Sequence, residues 1–434
     1  MISFRKKCFF VPVNLTLKAI YQYPYEGVTH EAAIFRHFAE YKGERYLYIN
    51  KEKSLKIIGI GVQSLIARST IDPVGVEAAF HKQTADAQLH GDSKLHLKLF
   101  GGFYFDEAES PHFDTFSKSH FIIPKIQIII EEAASWIIFT DPALDRERIC
   151  SDLMSLPSVD IQHNALVDSE DVELDKFRLN ATEAIQKMQQ SAFDKVVLSR
   201  KRQLTMTSPI EVETLIDAAS RNHELSYTMV MESGSKTFIS KTPEQLVAVK
   251  DGVIYTNAIA GTMPKTVSDA KDLLQSDEKN LHEHRIVVQS IEQDLAPFSQ
   301  NIIMKDYPEI LENQFLYHLY TPIKAKLNNG STLRVTRALH PTPALGGYPK
   351  IEAMAFLEKA GEHRGLYGAP VGYVDAQGDG EFIVAIRSMV IEDNRAILFA
   401  GCGIVEDSEV ESEVYETEIK FKPMLQMLGV PHHE

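Results

Sequence analysis

Glu413, Glu416 and Lys420 recur at i, i+3 and i+7 in the stretch ESEVYETEIK. At 3.6 residues per turn, a helix puts all three side chains on one face. Two carboxylates and an amine then point the same way. Such a face is ordinarily solvated, and an i,i+4 pair such as Glu416 and Lys420 is ordinarily a surface salt bridge. The surroundings point to chemistry. Arg387 is read as lying within an apolar strand, EFIVAIRSMVIE, and the corner AGCG supplies Gly401 and Gly403, where backbone can approach a ligand without the steric cost of a Cβ. Arginine grips a carboxylate through two parallel hydrogen bonds, and paired glutamates suit a hard divalent cation. The stretch is read as a site for an anionic small molecule with a metal.

Those residues need elements to hold them. Two apolar runs joined at Asp393-Asn394 predict a strand pair, followed by the charged helix, in which Pro423 predicts a bend just after Lys420. Upstream, Leu174, Phe177, Ala181, Ile185 and Met188 recur at helical spacing, and FDKVVLSRKRQL reads as a strand with Lys195 at its start. Ser208-Pro209 with Glu211 predicts an N-cap, a proline at the first helical position and a capping box. YTMVMES, KTFISKTPE and LVAVKDGVIYTNAIAGT read as strands, the third broken by an Asp251-Gly252 hairpin signal. A long helix over about 268–295 carries His282-Glu283-His284, and TLRVTRAL reads as another strand before the loop HPTPALGGYPK. Strand pairs alternating with long helices predict an α+β layered fold rather than a parallel doubly wound sheet. The polar, turn-rich stretch at 156–171 is the expected boundary between a scaffold portion, 1–165, and a catalytic portion, 166–434.

Composition narrows the function. A net charge of −15 argues against nucleic-acid or anionic-membrane binding, which need a basic footprint, so an anionic substrate must be drawn by a local positive cluster. Cys8, Cys150 and Cys402 are too few and scattered for a disulfide framework or a zinc site. The apolar run Cys8 to Val13 is short, contains Pro12 and lacks a cleavage signal, and no run approaches the ~18 apolar residues of a membrane span, so a soluble, cytoplasmic protein is expected. GIGV at Gly59 and AGCGIV at Ala400 lack the third glycine of a dinucleotide fingerprint. His282 and His284 stand two apart, unlike a helical zinc pair, and Glu283 faces its own direction.

Taken together, KVVLSR at Lys195, TPEQL at Thr242, AIAGT at Ala258, HEH at His282, HPTPALGGYP at His340, GEFIVAIR at Gly380, AGCGIV at Ala400 and YETEIK at Tyr415 form an ordered set. It resembles the chorismate-utilising enzymes over about residues 175 to 430, and the first 165 residues match only loosely. The resemblance implies a single large α+β fold, two antiparallel β-sheets in layers flanked by helices, with a Mg²⁺-containing cleft. It implies Glu283 and Glu416 as metal ligands, with Glu413 nearby and acting through water. Arg387 and Tyr367 would hold the enolpyruvyl carboxylate with backbone amides around Gly401, Lys420 and Thr262 would lie near the ring carboxylate, and His340 near the enolpyruvyl group. Gly261 and Ala344 complete the implied substrate site.

Within that family, Lys195 stands where the amine-forming members generally have glutamine, which implies water as nucleophile. Ala260 stands where one branch carries a nucleophilic lysine, which argues against covalent attack by the protein. The implied reaction is isomerisation of chorismate to isochorismate: Lys195 deprotonates a water that attacks C2, and Glu244 protonates the departing C4 hydroxyl. A lysine base needs a lowered pKa, and the acid a raised one. The loop HPTPALGGYP favours this reaction over further elimination of pyruvate to salicylate, and a menaquinone pathway over a siderophore pathway. A catalytically silent chorismate-binding subunit is the contrasting possibility. No glutaminase partner is implied, and a monomer is expected.

Overall fold

A computed structural model describes residues 16–157, 164–221, 224–312 and 316–431. The Cys8 to Val13 run and residues 158–163 of the expected boundary lie outside the described residues.

The strands form one ladder that folds back on itself, 21 strands among the described residues, antiparallel except where Ala19–Pro24 joins Gln88–Gly91. One arm runs from Lys195–Met206 through Arg395–Val405, Ser388–Glu392, Lys236–Thr242, Tyr227–Ser233 and Arg45–Ile49 to Leu55–Arg68 and Ser119–Glu131. At Ser119–Glu131 the sheet turns. The second arm continues through Lys98–Phe103, Pro370–Asp375, Gly380–Val384, Gln245–Lys250 and Val253–Pro264 to Leu316–Lys326. The expected two layers are therefore continuous, and their ladders pass from one side of residue 165 to the other.

Alternation along the strands builds the core. Tyr46 and Tyr48 point into a cluster shared with Phe100, Phe382 and Val247 of the second arm, while Leu47 and Ile49 point to a cluster under helices Glu31–His37, Val212–Arg221 and Val410–Met427. Each large apolar side chain so buried contributes roughly 1.5–3 kcal/mol. Tyr46 meets Phe100 edge-on at 5.5 Å, and the Tyr48 hydroxyl donates to Glu381 at 2.7 Å, so the arms are joined by both packing and polar contacts.

At two adjacent places the chain runs directly from a strand of one arm into a strand of the other. Pro243 and Glu244 link Lys236–Thr242 to Gln245–Lys250, and 385–387 link Gly380–Val384 to Ser388–Glu392. The Val384 amide donates to the Glu244 carbonyl at 3.1 Å, the Lys241 amide to the Arg387 carbonyl at 3.0 Å, and the Ser240 hydroxyl to the Ile386 carbonyl at 2.7 Å. Arg387 is thus not inside a strand. It sits at the crossing with φ of 46°, a left-handed conformation that pairing on both sides imposes.

Other local expectations also change. TLRVTRAL is a helix, Thr332–Leu339, because its buried residues Thr332, Leu333, Val335, Thr336 and Leu339 have helical spacing despite three β-branched side chains. The long helix divides into Ala270–Ser276 and Glu278–Leu295, since Asp277 adopts extended backbone and caps the second through the Asn280 amide. The helix after Ser208-Pro209 begins only at Val212, and Glu211 instead pairs with Arg36 at 2.8 Å. The closing helix Val410–Met427 runs through Pro423 without interruption.

Candidate active site

The closing helix buries Thr417, Phe421, Met424 and Leu425 and presents Glu416 and Lys420 outward. Lys420 Nζ lies 2.6 Å from Glu416 Oε1 and donates to the Gly401 carbonyl at 2.8 Å, fastening the helix to the glycine corner. Glu413 Oε1 accepts the Ser408 hydroxyl at 2.7 Å, while its Oε2 is buried without a partner. A Cβ on Gly401 would stand 2.6 Å from the Tyr367 hydroxyl and 2.8 Å from the Leu198 carbonyl, so the glycine lets Tyr367 close over the backbone. Tyr367 is buried and stacked on Phe399 at 5.4 Å. Burial pushes its hydroxyl up, keeping it a neutral donor.

Lys195 opens the strand that pairs with this corner, opposite Val405. A Cβ on Gly403 would meet its Cε at 2.9 Å, so the lysine chain lies against the glycine backbone. From there Nζ reaches Glu283 Oε1 at 3.3 Å on helix Glu278–Leu295. The two face a cleft of about 340 Å³ lined also by Ala260, Gly261, Thr262, Asn280, His318 and Ala344. That volume is in the range of small-molecule sites, ~300–1,000 Å³. Gly261 lies in a register shift with φ of +79°, which lets the strand bend toward the helix, where the Thr262 amide donates to Asn280 Oδ1 at 3.1 Å. The Thr262 hydroxyl pairs with His318 Nδ1 at 2.8 Å.

Glu244, at the crossing between arms, is half-buried, with Arg387 and Lys420 as its charged neighbours. Burial raises its carboxyl from 4.5 to about 7, although Arg387 and Lys420 act in the opposite direction. At neutral pH it therefore holds its proton part of the time, as a general acid must. Arg387 Nη1 is paired with Glu224 at 2.7 Å. His340 is 1% exposed, its Nε2 on the Gly368 carbonyl at 2.9 Å and its ring edge-on to Phe105. Desolvation lowers it to about 3, so it is neutral, and it underlies the site without lining the cleft.

The predicted residues thus fall into two neighbouring groups that meet at Lys195 and Gly403. Lys195, Gly261, Thr262, Glu283 and Ala344 line the cleft. Glu244, Tyr367, Gly401, Glu413, Glu416 and Lys420 gather at the glycine corner, with Arg387 beside Glu244. Asn280 and His318 are additional. Asn280 precedes Glu283 by one helical turn and was accessible to a spacing argument, whereas His318 faces Thr262 only through strand register. Arg364 is a further one: buried, it binds Glu362 Oε2 at 2.9 Å, the Leu345 carbonyl at 2.8 Å and the Val197 carbonyl, and lies 4.4 Å over Phe105, tying the loop before Tyr367 to the Lys195 strand.

Among the described residues, no three His, Cys, Asp or Glu side chains are clustered closely enough to hold a metal as they stand. The donor set nevertheless fits a hard cation: Glu283 pairs with Lys195, Glu416 pairs with Lys420, and Glu413 keeps an unpartnered buried oxygen. No helix among the described residues is long and apolar enough to cross a membrane.

A folded-back antiparallel ladder carrying a lysine, a desolvated glutamic acid and an arginine-lysine-glutamate rim defines an enzyme-like site for a small anion. The family model described as "Chorismate binding enzyme" matches residues 20–429, and the chain belongs to that family. Among its relatives, isochorismate synthase MenF of Bacillus subtilis is 32% identical over 90% of this chain and 89% of its own. The salicylate biosynthesis isochorismate synthase of Pseudomonas aeruginosa is 32% identical over 82% of this chain and 78% of its own. The solved structure of MenF, the menaquinone-specific isochorismate synthase of Escherichia coli, shares the fold with a TM-score of 0.79, at 21% identity, over 94% of each chain.

Proposed function

We propose that the protein is an isochorismate synthase that converts chorismate reversibly to isochorismate, acting in menaquinone biosynthesis, as a cytoplasmic enzyme that needs no glutaminase subunit and works as a monomer. The observation that carries this reading is the separation of roles: an amine, Lys195, facing the cleft, and a carboxyl, Glu244, raised by burial to about 7 beside Lys420 at the neighbouring glycine corner. The kinship with isochorismate synthases over nearly the whole chain supports it.

In this mechanism, Lys195 takes a proton from a water that attacks C2 of the ring. The new C2–O bond shifts the ring double bonds, the C4–O bond breaks, and Glu244 gives its proton to the departing hydroxyl. Water is consumed and released, so the product is an isomer. Arg387, Tyr367 and the Gly401 backbone hold the enolpyruvyl carboxylate, Lys420 and Thr262 hold the ring carboxylate, and Gly261 and Ala344 shape the wall. His340 supports the side of the site beneath the enolpyruvyl group. Glu283 and Glu416 would hold Mg²⁺, with Glu413 acting through water. Bound there, Mg²⁺ would offset carboxylate charge from protein and substrate.

The decisive test is product analysis after incubating purified protein with chorismate and Mg²⁺. Isochorismate is expected. Accumulation of salicylate and pyruvate, or binding of chorismate without turnover, would overturn the assignment.

A further inference from the structure

Arg387, the group assigned to a substrate carboxylate, already holds a carboxylate. Glu224 lies just ahead of strand Tyr227–Ser233 and takes Nη1 of Arg387 at 2.7 Å. The pair is not forced by burial, because the side chains remain 33% and 45% exposed and water could serve either one. A second cation stands close by: Lys241, 5% exposed on the strand entering the neighbouring crossing, feels attraction from Glu224 and repulsion from Arg387. Glu224 thus has somewhere to direct its charge when it leaves the guanidinium.

We infer that Glu224 is an internal competitor for Arg387, a carboxylate that the substrate's own carboxylate must displace, and that it sets affinity for the anionic substrate without entering the reaction. The inference rests on the reading of Arg387 as a substrate-carboxylate ligand. Binding to a guanidinium that is free only part of the time is weakened by that fraction. For a half-exposed ion pair the weakening is about two- to fivefold.

The test is calorimetric binding of chorismate with Mg²⁺ in a Lys195→Ala background, which stops turnover, comparing Glu224→Gln, Arg387→Ala and the double variant. Glu224→Gln is expected to tighten binding about two- to fivefold, Arg387→Ala to weaken it, and the double variant to bind like Arg387→Ala alone. In the enzyme with Lys195 intact, the gain from Glu224→Gln should fall on KM and leave kcat in place. Unchanged or weaker binding by Glu224→Gln, with Arg387→Ala still weakened, overturns the inference and leaves the site reading standing. Equal tightening with and without Arg387 overturns it too, since the effect would then be diffuse electrostatics. An Arg387→Ala protein that binds chorismate as well as its parent removes the site reading, and the inference with it.

Discussion

The Val384 amide donates to the Glu244 carbonyl at 3.1 Å, joining two adjacent places where the chain runs directly from a strand of one arm into a strand of the other. Glu244 therefore has its backbone fixed at the crossing while its side chain is desolvated beside Arg387 and Lys420. A loop carboxylate would be solvated and ionised. A carboxylate at a crossing can be desolvated and still reachable.

That position gives a signed pH prediction. The Glu244 carboxyl is raised from 4.5 to about 7, so the protonated form needed to release the C4 hydroxyl is lost as pH rises through about 7, and the limb of kcat belonging to this group should descend there. Stability follows the same sign. The contribution of the neutral carboxyl is fully present below pH 4.5 and is lost as pH rises through about 7, where the folded state must carry a desolvated anion. Glu244→Gln should therefore lower kcat by roughly 10²- to 10⁴-fold. Denaturant titration should show the variant gaining roughly 1–3 kcal/mol on the parent between pH 4.5 and pH 8.5.

Lys195→Ala should reduce isochorismate formation by at least about a hundredfold. Its folded stability should change by less than ~1 kcal/mol, because the lost Lys195–Glu283 pair is 27% and 45% exposed. Steady-state rates and thermal melts of the same preparation decide this. Substantial residual turnover would remove Lys195 from the role of base.

What could be read in the chain beforehand was what is local. The face carrying Glu413, Glu416 and Lys420 follows from periodicity alone, and the helix confirms it. The Asp251-Gly252 turn follows from residues that tolerate φ of 51° and 72°. The crossing at 385–387 was hidden because the apolar run continues through it, and only the partners on either side, from different arms, force the break. Thr332–Leu339 was hidden by β-branched residues whose burial overrides their propensity. The Glu224 contact was hidden because it joins positions 163 residues apart.

The two glycines of the corner should respond differently to alanine. At Gly401 the added methyl meets the Leu198 carbonyl at 2.8 Å and the Tyr367 hydroxyl at 2.6 Å, and backbone cannot easily move, so Gly401→Ala should destabilise by about 1–3 kcal/mol. At Gly403 it meets Lys195 Cε at 2.9 Å, near the free end of a flexible chain that can give way. Gly403→Ala should leave the melt within ~0.5 kcal/mol of the parent. It should also lower kcat by roughly 10- to 100-fold through displacement of Nζ. Equal effects on stability at both positions would contradict this placement of Lys195.

Metal titration should separate the three glutamates. Glu283 and Glu416 come from different helices, each facing one lysine, at 3.3 and 2.6 Å, and a cation between them would take over the charge those lysines now meet. Glu413 is different: Ser408 holds one oxygen and the other is buried without a partner, as suits a group that receives a metal-bound water rather than the metal. Chelation should abolish turnover and Mg²⁺ restore it. Magnesium titrations followed by calorimetry in the presence of chorismate should show Glu283→Gln and Glu416→Gln each weakening metal binding by more than about 100-fold, and Glu413→Gln by roughly 10- to 100-fold. If Glu413→Gln proved the most damaging of the three, the inner and outer assignments on the closing helix would exchange. Three equal losses would instead make all three direct ligands, a carboxylate-rich sphere better suited to Ca²⁺ than to Mg²⁺, which keeps most of its water.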